Sequence, residues 1–318
     1  MAEKIKLGPL TENPLVSIII PSFNQGKYLK KTIESIREQD YSPVEIVIID
    51  GASTDSTIDV LHGYDSCEKI TWVSEPDNGV ADAVNKGFKL VRGQICAIQS
   101  SDDYYMPGAI RKIVSCFIND NELGLVYGDI IKTNEFDEEI TKYRIKPFSI
   151  RSFLTVETWI PQPSAFFRTE LISELKAWNS DYYCCDTEFW LRAVLRTKVL
   201  KIDEYISKRL MHAGQRDQNA AEISKSYREM IDRSGDIKKL PFWLRRAAEC
   251  GKWMMSFRYN PTGSDWMATY YLWKAIASYP IVIRHIGLSK HLIPGYMPLM
   301  KGLSRIKQVI FKLPGRKQ

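Results

Sequence analysis

The sequence predicts an α/β fold: a mostly parallel sheet flanked by helices, followed by a basic helical extension. Short β-branched runs alternate with segments of helical spacing in the first third of the chain. The connections between them are short, as in sheets that carry helices on both faces. With 318 residues and 44% hydrophobic content, the chain can bury a sizeable core.

The first strand is the run Val16–Ile20, which Pro21 closes. Three further strands are predicted on the same grounds at Val44–Ile49, Ile70–Val73 and Gln94–Gln99. Helical spacing predicts helices at Gly26–Arg37, Ser53–Leu61, Val80–Val91 and Pro107–Phe117. The middle third predicts strands at Leu123–Ile130, Glu139–Ile145 and Ser164–Arg168, then a helix at Asp186–Leu195.

Polar and acidic residues follow three of these strands, at Pro21–Asn24, Asp50–Asp55 and Ser100–Asp103. Open parallel sheets bind ligands beyond the carboxyl ends of their strands, so these segments are the place to expect a nucleotide and a cation. The sequence contains neither GxGxxG nor GxxxxGK[ST], so a dinucleotide fold and a P-loop are not supported.

Charge divides the chain unevenly. Residues 237–318 carry 15 Lys and Arg against two acids, whereas the remainder carries 29 against 36. We therefore predict one domain over residues 1–236 and a basic, aromatic-rich helical extension over 237–318, which suits an anionic partner surface.

The sequence shows no signal peptide and no apolar run long enough to span a membrane. The six cysteines lack the spacing of zinc or redox sites. A cytoplasmic protein with reduced thiols is therefore expected.

Four segments stand in an order that resembles glycosyltransferase family 2, the inverting enzymes of the GT-A fold, of the type that builds bacterial surface polysaccharides. They are Pro14–Asn24, Glu45–Asp55, Asn78–Gly87 and Ser101–Tyr104. The resemblance covers about residues 14–212. Each segment lies after or beside a predicted strand, which makes the four together far more specific than any one alone.

Asp102 and Asp103 look like the acidic metal motif of this family. A hard divalent cation, Mn²⁺ or Mg²⁺, is held by carboxylates and stabilises the charge of a departing diphosphate. The resemblance implies Asp103 and His212 as metal ligands, with Ser101 and Asp102 on the nucleotide-sugar. The alternatives are an acidic turn that caps the next helix and a structural histidine.

The resemblance also implies a nucleotide pocket. Asp50 would bond the base, and the residues after the first strand would line the other side of the pocket: Pro21, Ser22, Phe23 and Asn24. The third segment would lie near the nucleotide and its phosphates through Asp82, Asn85 and Lys86. The alternative for Asp50 is an ordinary turn at the end of a strand.

Inverting transfer needs a carboxylate that takes the proton of the attacking hydroxyl. Asp186 matches the acidic residue that serves as this base in the family, although Cys185 stands where a further acid usually precedes it. Glu188 is the rival for the role. Both cannot face one site at a separation of two residues on a helix. Gln162 lies in a segment similar to the family's strand beside the acceptor pocket and is expected, with Glu188, on the acceptor side.

The resemblance implies transfer of a hexose or N-acetylhexosamine from a nucleotide-sugar, UDP-linked, to a glycan or lipid-linked acceptor. A nucleotidyltransferase would need a glycine-rich, basic loop after the first strand, which is absent. A non-catalytic sugar-nucleotide-binding or scaffold protein of the same fold is the remaining alternative. No nucleic-acid partner is expected.

The extension combines basic residues with four tryptophans, Trp243, Trp253, Trp266 and Trp273. This combination predicts peripheral contact with the cytoplasmic face of the inner membrane. The alternative is that the extension packs on the protein itself.

Overall fold

The structure is a computed structural model that describes residues 3–212, 219–260 and 262–282. It divides into two compact units. The first comprises residues 1–150 and 158–216, and the second comprises residues 151–157 and 217–318. The division along the chain therefore falls before the change in composition at residue 237.

In the described residues the first unit is built on one sheet of nine strands, ordered β3-β2-β1-β4-β8-β6-β9-β5, with β7 paired to β6. The strands are β1 (Val16–Ser22), β2 (Val44–Asp50), β3 (Ile70–Ser74), β4 (Ile95–Ile98), β5 (Tyr104–Tyr105), β6 (Leu123–Thr133), β7 (Glu139–Tyr143), β8 (Ala165–Arg168) and β9 (Lys198–Leu210). The first four strands are parallel to one another, and β6 is parallel to β9. The predicted α/β class is confirmed.

Seven described helices precede residue 212: six belong to the first unit, and one, Ile150–Leu154, lies almost entirely in residues 151–157 of the second unit. They are α1 (Gly26–Arg37), α2 (Thr57–His62), α3 (Val80–Phe88), α4 (Ala109–Asn119), α5 (Ile150–Leu154), α6 (Glu170–Leu175) and α7 (Cys185–Arg196). Helix α1 shows why they form: Leu29, Ile33 and Ile36 recur at helical spacing and are buried in the same core as the strands. Burying each such side chain contributes about 1.5–3 kcal/mol to the stability of the folded state.

The strand directions bring several chain segments to one edge of the sheet. Strands β1 to β4, β6 and β9 all end there, because β8 runs antiparallel to both β4 and β6 while β6 is parallel to β9. The antiparallel strands β5 and β8 begin at the same edge. We call this the carboxyl edge, and the polar segments noted in the sequence lie along it.

Strand β9 had no counterpart among the predicted elements. Its thirteen residues mix charged and apolar residues without strict alternation. The structure accounts for one of the charged residues, because Lys201 is buried and pairs with the fully buried Asp129 of β6 at 2.8 Å. A buried ion pair removes the alternation on which a strand prediction depends.

The described part of the second unit is helical, as predicted for the extension. Besides α5, its helices are α8 (Ala220–Arg233), α9 (Gly235–Lys238), α10 (Phe242–Arg258) and α11 (Asp265–Ser278). Helix α10 packs against α8 and α11, and Gly251 lets it approach the backbone of Leu154 closely. Residues 283–318 of the predicted extension lie outside the described residues. Within the described ranges, no helix is long and apolar enough to cross a bilayer.

Candidate functional site

A carboxylate and an imidazole meet at the carboxyl edge. Asp102 follows β4, and His212 follows β9. His212 Nε2 lies 2.9 Å from Asp102 Oδ2, and both side chains are partly accessible. The His212 ring packs on Tyr28 with the ring centroids 5.1 Å apart. Carboxylate and imidazole are both ligands for Mn²⁺, although the described residues contain no group of three or more His, Cys, Asp or Glu arranged to hold a metal.

Asp103 has a different environment from Asp102. It is 3% exposed, and its Oδ1 accepts a hydrogen bond of 3.0 Å from the backbone N–H of Leu210. The Thr32 hydroxyl donates to the carbonyls of Asp103 and of the buried Ser101 at 2.8 and 2.9 Å. These bonds fix the loop after β4 against α1 and against the end of β9, two residues before His212.

The turn between β6 and β7 also reaches this region. Glu135 accepts hydrogen bonds from Lys27 and from the hydroxyl of Tyr28, the residue on which His212 packs. Those two hydrogen bonds hold the pKa of the Glu135 carboxyl below its ordinary value. Sequence reasoning did not single out Glu135, because the turn carries no motif and its partners are distant in the chain.

Asp50, expected to bond a base, is fully buried in the structure. Its Oδ2 accepts hydrogen bonds from the backbone N–H of Ser53 at 2.9 Å and from the Ser74 hydroxyl at 2.6 Å, and its Oδ1 accepts one from the Ser53 hydroxyl. The Asn24 side chain accepts a hydrogen bond from Thr54 N–H at 2.9 Å. In this conformation Asp50 and Asn24 hold the loop after β2 in shape.

The surface beside this loop carries Phe23 and Asp77 next to Gly51, because a Cβ built on Gly51 would lie 3.3 Å from the Phe23 ring and 2.7 Å from Asp77 Oδ2. Pro21 is half-buried in β1 and pairs in register with Ile49. Phe23 is 60% exposed, so one aromatic ring faces solvent there. Ser22 is buried beside Asp50 in the parallel register, and its hydroxyl has no partner among the described residues. An exposed ring with polar groups at its border is suited to a planar ligand.

The three residues of α3 expected near the nucleotide each have partners within the protein. Asp82 accepts a hydrogen bond from Asn78 N–H at 3.0 Å. Lys86 pairs with Glu75 at 2.8 Å and donates to the carbonyl of Pro76 at 2.9 Å. Asn85 makes two hydrogen bonds of 2.9 Å with the backbone of Trp178, one as donor and one as acceptor. Together they support the turn before α3 and link α3 to the segment that leads into α7.

Asp186 and Glu188 both lie in the first turn of α7, in different surroundings. Glu188 makes a bidentate pair with Arg192, at 2.8 and 2.6 Å, and Arg192 also donates to the carbonyl of Ala177 at 2.8 Å. The Glu188 carboxylate is therefore committed to holding the helix start. Asp186 is partly accessible, and its Oδ1 accepts a hydrogen bond of 3.4 Å from the Thr187 hydroxyl.

Gln162 lies in a short 3-10 turn, Gln162–Ser164, just before β8. Its amide donates to the carbonyl of Ile98 at the end of β4, and its Oε1 accepts a bond of 3.3 Å from the Ser100 hydroxyl. The residue therefore lies at the carboxyl edge, beside the loop that carries Asp102.

Comparison with known sequences identifies relatives. The family described as "Glycosyl transferase family 2" matches residues 17–185. An uncharacterized glycosyltransferase of Mycobacterium tuberculosis is 31% identical over 194 residues, which cover 58% of this chain and 71% of that protein. A chondroitin synthase of Escherichia coli is 34% identical over 126 residues, 39% of this chain and only 18% of the synthase.

Comparison with solved structures shows the fold. S. aureus TarS 1-349 in complex with UDP-GlcNAc has a TM-score of 0.62 at 16% identity, with 84% of this chain and 82% of that chain covered. The mannosyltransferase PcManGT from Pyrobaculum calidifontis, in complex with GDP-Man and Mn²⁺, has a TM-score of 0.61 at 17% identity, with 95% and 84% covered. The chain has the GT-A-like architecture of these transferases.

Proposed function

The chain belongs to glycosyltransferase family 2, and on that premise we propose that it is an inverting, metal-dependent transferase. It moves a hexose or N-acetylhexosamine from a nucleotide-sugar, UDP-linked, to a glycan or lipid-linked acceptor in cell-surface polysaccharide synthesis. The observation that carries the proposal is the meeting of Asp102 and His212 after β4 and β9, at the same edge of the sheet as the exposed ring of Phe23, which follows the neighbouring strand β1. A diphosphate group and a nucleotide base need those two features side by side.

We propose Asp102 and His212 as the protein ligands of a divalent cation. Their adjacent oxygen and nitrogen fit the donor set, since Mn²⁺ and Mg²⁺ are commonly held by one or two protein groups together with substrate phosphates. When bound, the cation supplies positive charge to the departing diphosphate. Asp103, which the sequence suggested as a ligand, holds the Asp102 loop and the end of β9 together through Leu210.

Asp186 is proposed as the general base. As the acceptor hydroxyl bonds to the anomeric carbon and the bond to the diphosphate breaks, Asp186 takes the hydroxyl proton. Attack from the face opposite the leaving group converts an α-linked donor into a β-linked product. The rival residue Glu188 is already neutralised by Arg192, which favours Asp186 for this role.

The donor and the enzyme class can be tested together on the full chain. A thermal-shift panel of UDP-, GDP-, CDP- and ADP-sugars, with and without Mn²⁺, is expected to show one class that raises the melting temperature only when Mn²⁺ is present. At a ligand concentration of 100 Kd the stabilisation is about 2.7 kcal/mol, which is readily measured.

The stabilising donor is then incubated with enzyme and released nucleoside diphosphate is measured. Slow hydrolysis of the donor, accelerated by an acceptor glycan, is the expected result. Absence of any shift would remove the proposed function, and a shift without release of diphosphate under any acceptor would leave a sugar-nucleotide-binding protein instead.

We further propose that the second unit contacts the cytoplasmic leaflet of a membrane, near a lipid-linked acceptor. Exposed aromatic and basic residues support this at the start of α10, where Phe242 and Trp243 lie in solvent beside the exposed Lys238, Lys239 and Arg245. Three tryptophans of the extension are exposed: Trp243, Trp266 and Trp273. Trp253 instead stacks on Tyr271 with ring centroids 6.1 Å apart. Aromatic bodies with cationic borders are typical of helices at the membrane interface.

Vesicle co-sedimentation tests the membrane contact. The full chain is expected to pellet with phosphatidylglycerol vesicles but not with phosphatidylcholine vesicles, and less so as salt rises. Phe242→Ser with Trp243→Ser should lower the bound fraction by about fivefold, because two interfacial anchors are lost. Phe136→Ser, which removes an exposed aromatic from the first unit, serves as the control. Equal recovery of the wild type in the supernatant with both vesicles at low salt would contradict the proposal.

A further inference from the structure

The space beside Gly51 is filled by the carboxylate of Asp77. A Cβ built on Gly51 would lie 2.7 Å from Asp77 Oδ2 and 3.3 Å from the Phe23 ring. The backbone of Gly51 is outside the left-handed region, so its conformation does not demand glycine. Gly51 is therefore needed for space: it lets a carboxylate from another segment reach the surface that Phe23 lines.

The two acids near this surface differ in whether a carboxylate oxygen remains available to accept a hydrogen bond from a ligand. Asp50 is fully buried, and its oxygens accept three hydrogen bonds from Ser53 and Ser74. Asp77 is partly exposed and uses Oδ1 to accept a bond of 2.8 Å from Gly79 N–H. Its Oδ2 accepts no hydrogen bond from any described residue. Asp77 thus supplies an available acceptor at the edge of the Phe23 ring, and Asp50 does not.

We propose that Asp77 selects the base of the donor nucleotide. This rests on the proposed function, and it assigns base selection to a residue outside those that the family resemblance indicated. A base stacked on Phe23 presents its ring edge to the Asp77 Oδ2, since both groups border the space that a side chain on Gly51 would occupy. A carboxylate only accepts hydrogen bonds, so it favours the ring N–H of uracil or guanine and repels the unprotonated ring nitrogen of cytosine or adenine.

The variant Asp77→Asn tests this with little disturbance. Its amide oxygen can still accept from Gly79 N–H, while an NH₂ group replaces the available Oδ2. Calorimetric titration of the full chain with UDP, GDP, CDP and ADP, in Mn²⁺, gives four dissociation constants. Whichever of UDP and GDP the wild type prefers should bind about 10-fold more weakly to the variant. CDP and ADP should bind more tightly to the variant than to the wild type, because the repelling charge is gone and the new NH₂ can donate to their ring nitrogen, so the selectivity narrows.

Two further variants separate base recognition from a general disturbance. Asp59→Asn removes the same charge from an exposed site on α2 and should leave all four constants unchanged. In Gly51→Asp with Asp77→Ala, the new side chain grows into the space that the Asp77 carboxylate vacates, and the selectivity for a ring N–H should be partly restored relative to Asp77→Ala alone.

The possible failures are distinguishable. An Asp77→Asn variant that keeps the wild-type selectivity, or that loses affinity equally for all four nucleotides, overturns the role of Asp77 and leaves the transferase proposal standing. A wild type that binds none of the four overturns both.

Discussion

Replacing Asp186 by Asn is expected to lower turnover about 1,000-fold while the affinity for the donor nucleotide stays within about twofold. Asparagine keeps the shape of the side chain and cannot take a proton, so the loss falls on the transition state alone. Steady-state transfer and equilibrium titration of the donor nucleotide measure the two quantities on the same preparation.

Glu188→Gln is the matched control, two residues away on the same helical turn. It breaks the pair with Arg192, so the free energy of unfolding should fall by about 1–3 kcal/mol, with turnover per folded molecule little changed. If Glu188→Gln were inactive and Asp186→Asn turned over normally, the base would have been assigned to the wrong residue.

Removing the divalent cation is expected to lower turnover at least about 100-fold, because the departing diphosphate loses its counter-charge. Chelation with EDTA should do this reversibly, with activity returning on addition of Mn²⁺ or Mg²⁺. Asp102→Asn should raise the Mn²⁺ concentration needed for half-maximal activity. The melting temperature should stay unchanged, because the contact of Asp102 with His212 lies at a partly accessible position.

Asp103→Ala provides the contrast. Asp103 is buried and accepts from Leu210 N–H, so its loss should lower the free energy of unfolding by about 1–3 kcal/mol as well as the activity. Denaturant titration beside the Mn²⁺ titration separates the two aspartates. Full activity of the wild type in EDTA would contradict the metal-dependent mechanism.

The parallel half of the sheet could be predicted from sequence because its strands are short apolar runs rich in Val and Ile. In β1 and β2 the alternatives are few, since both faces are buried and the polar residues come only at the ends. Strand β9 could not be predicted in this way. Its Lys201 is buried through a partner on β6 that lies 72 residues away, and no local pattern reveals such a pair.

In the site, the location of the polar segments could be predicted from sequence, whereas the side-chain atoms that a ligand can reach could not. The order of polar segments correctly indicates that they follow the strands at one edge. Which atoms remain available there depends on hydrogen bonds between segments, as with Asp50, which is enclosed by Ser53 and Ser74. The acceptor on Asp77 follows from the absence of a side chain at Gly51, and a single sequence gives no reason to connect the two.

The two hydrogen bonds between Asn85 and the backbone of Trp178 bear on how this transferase could be redesigned. They fasten α3, beside the loop that holds Asp77, to the segment that leads into α7 and Asp186. Mutational libraries aimed at donor preference would naturally target α3, yet a shift of that helix also displaces the start of α7. Substitutions confined to Phe23, Gly51 and Asp77 leave these two hydrogen bonds untouched, so we expect them to alter donor choice independently of the proposed base, Asp186.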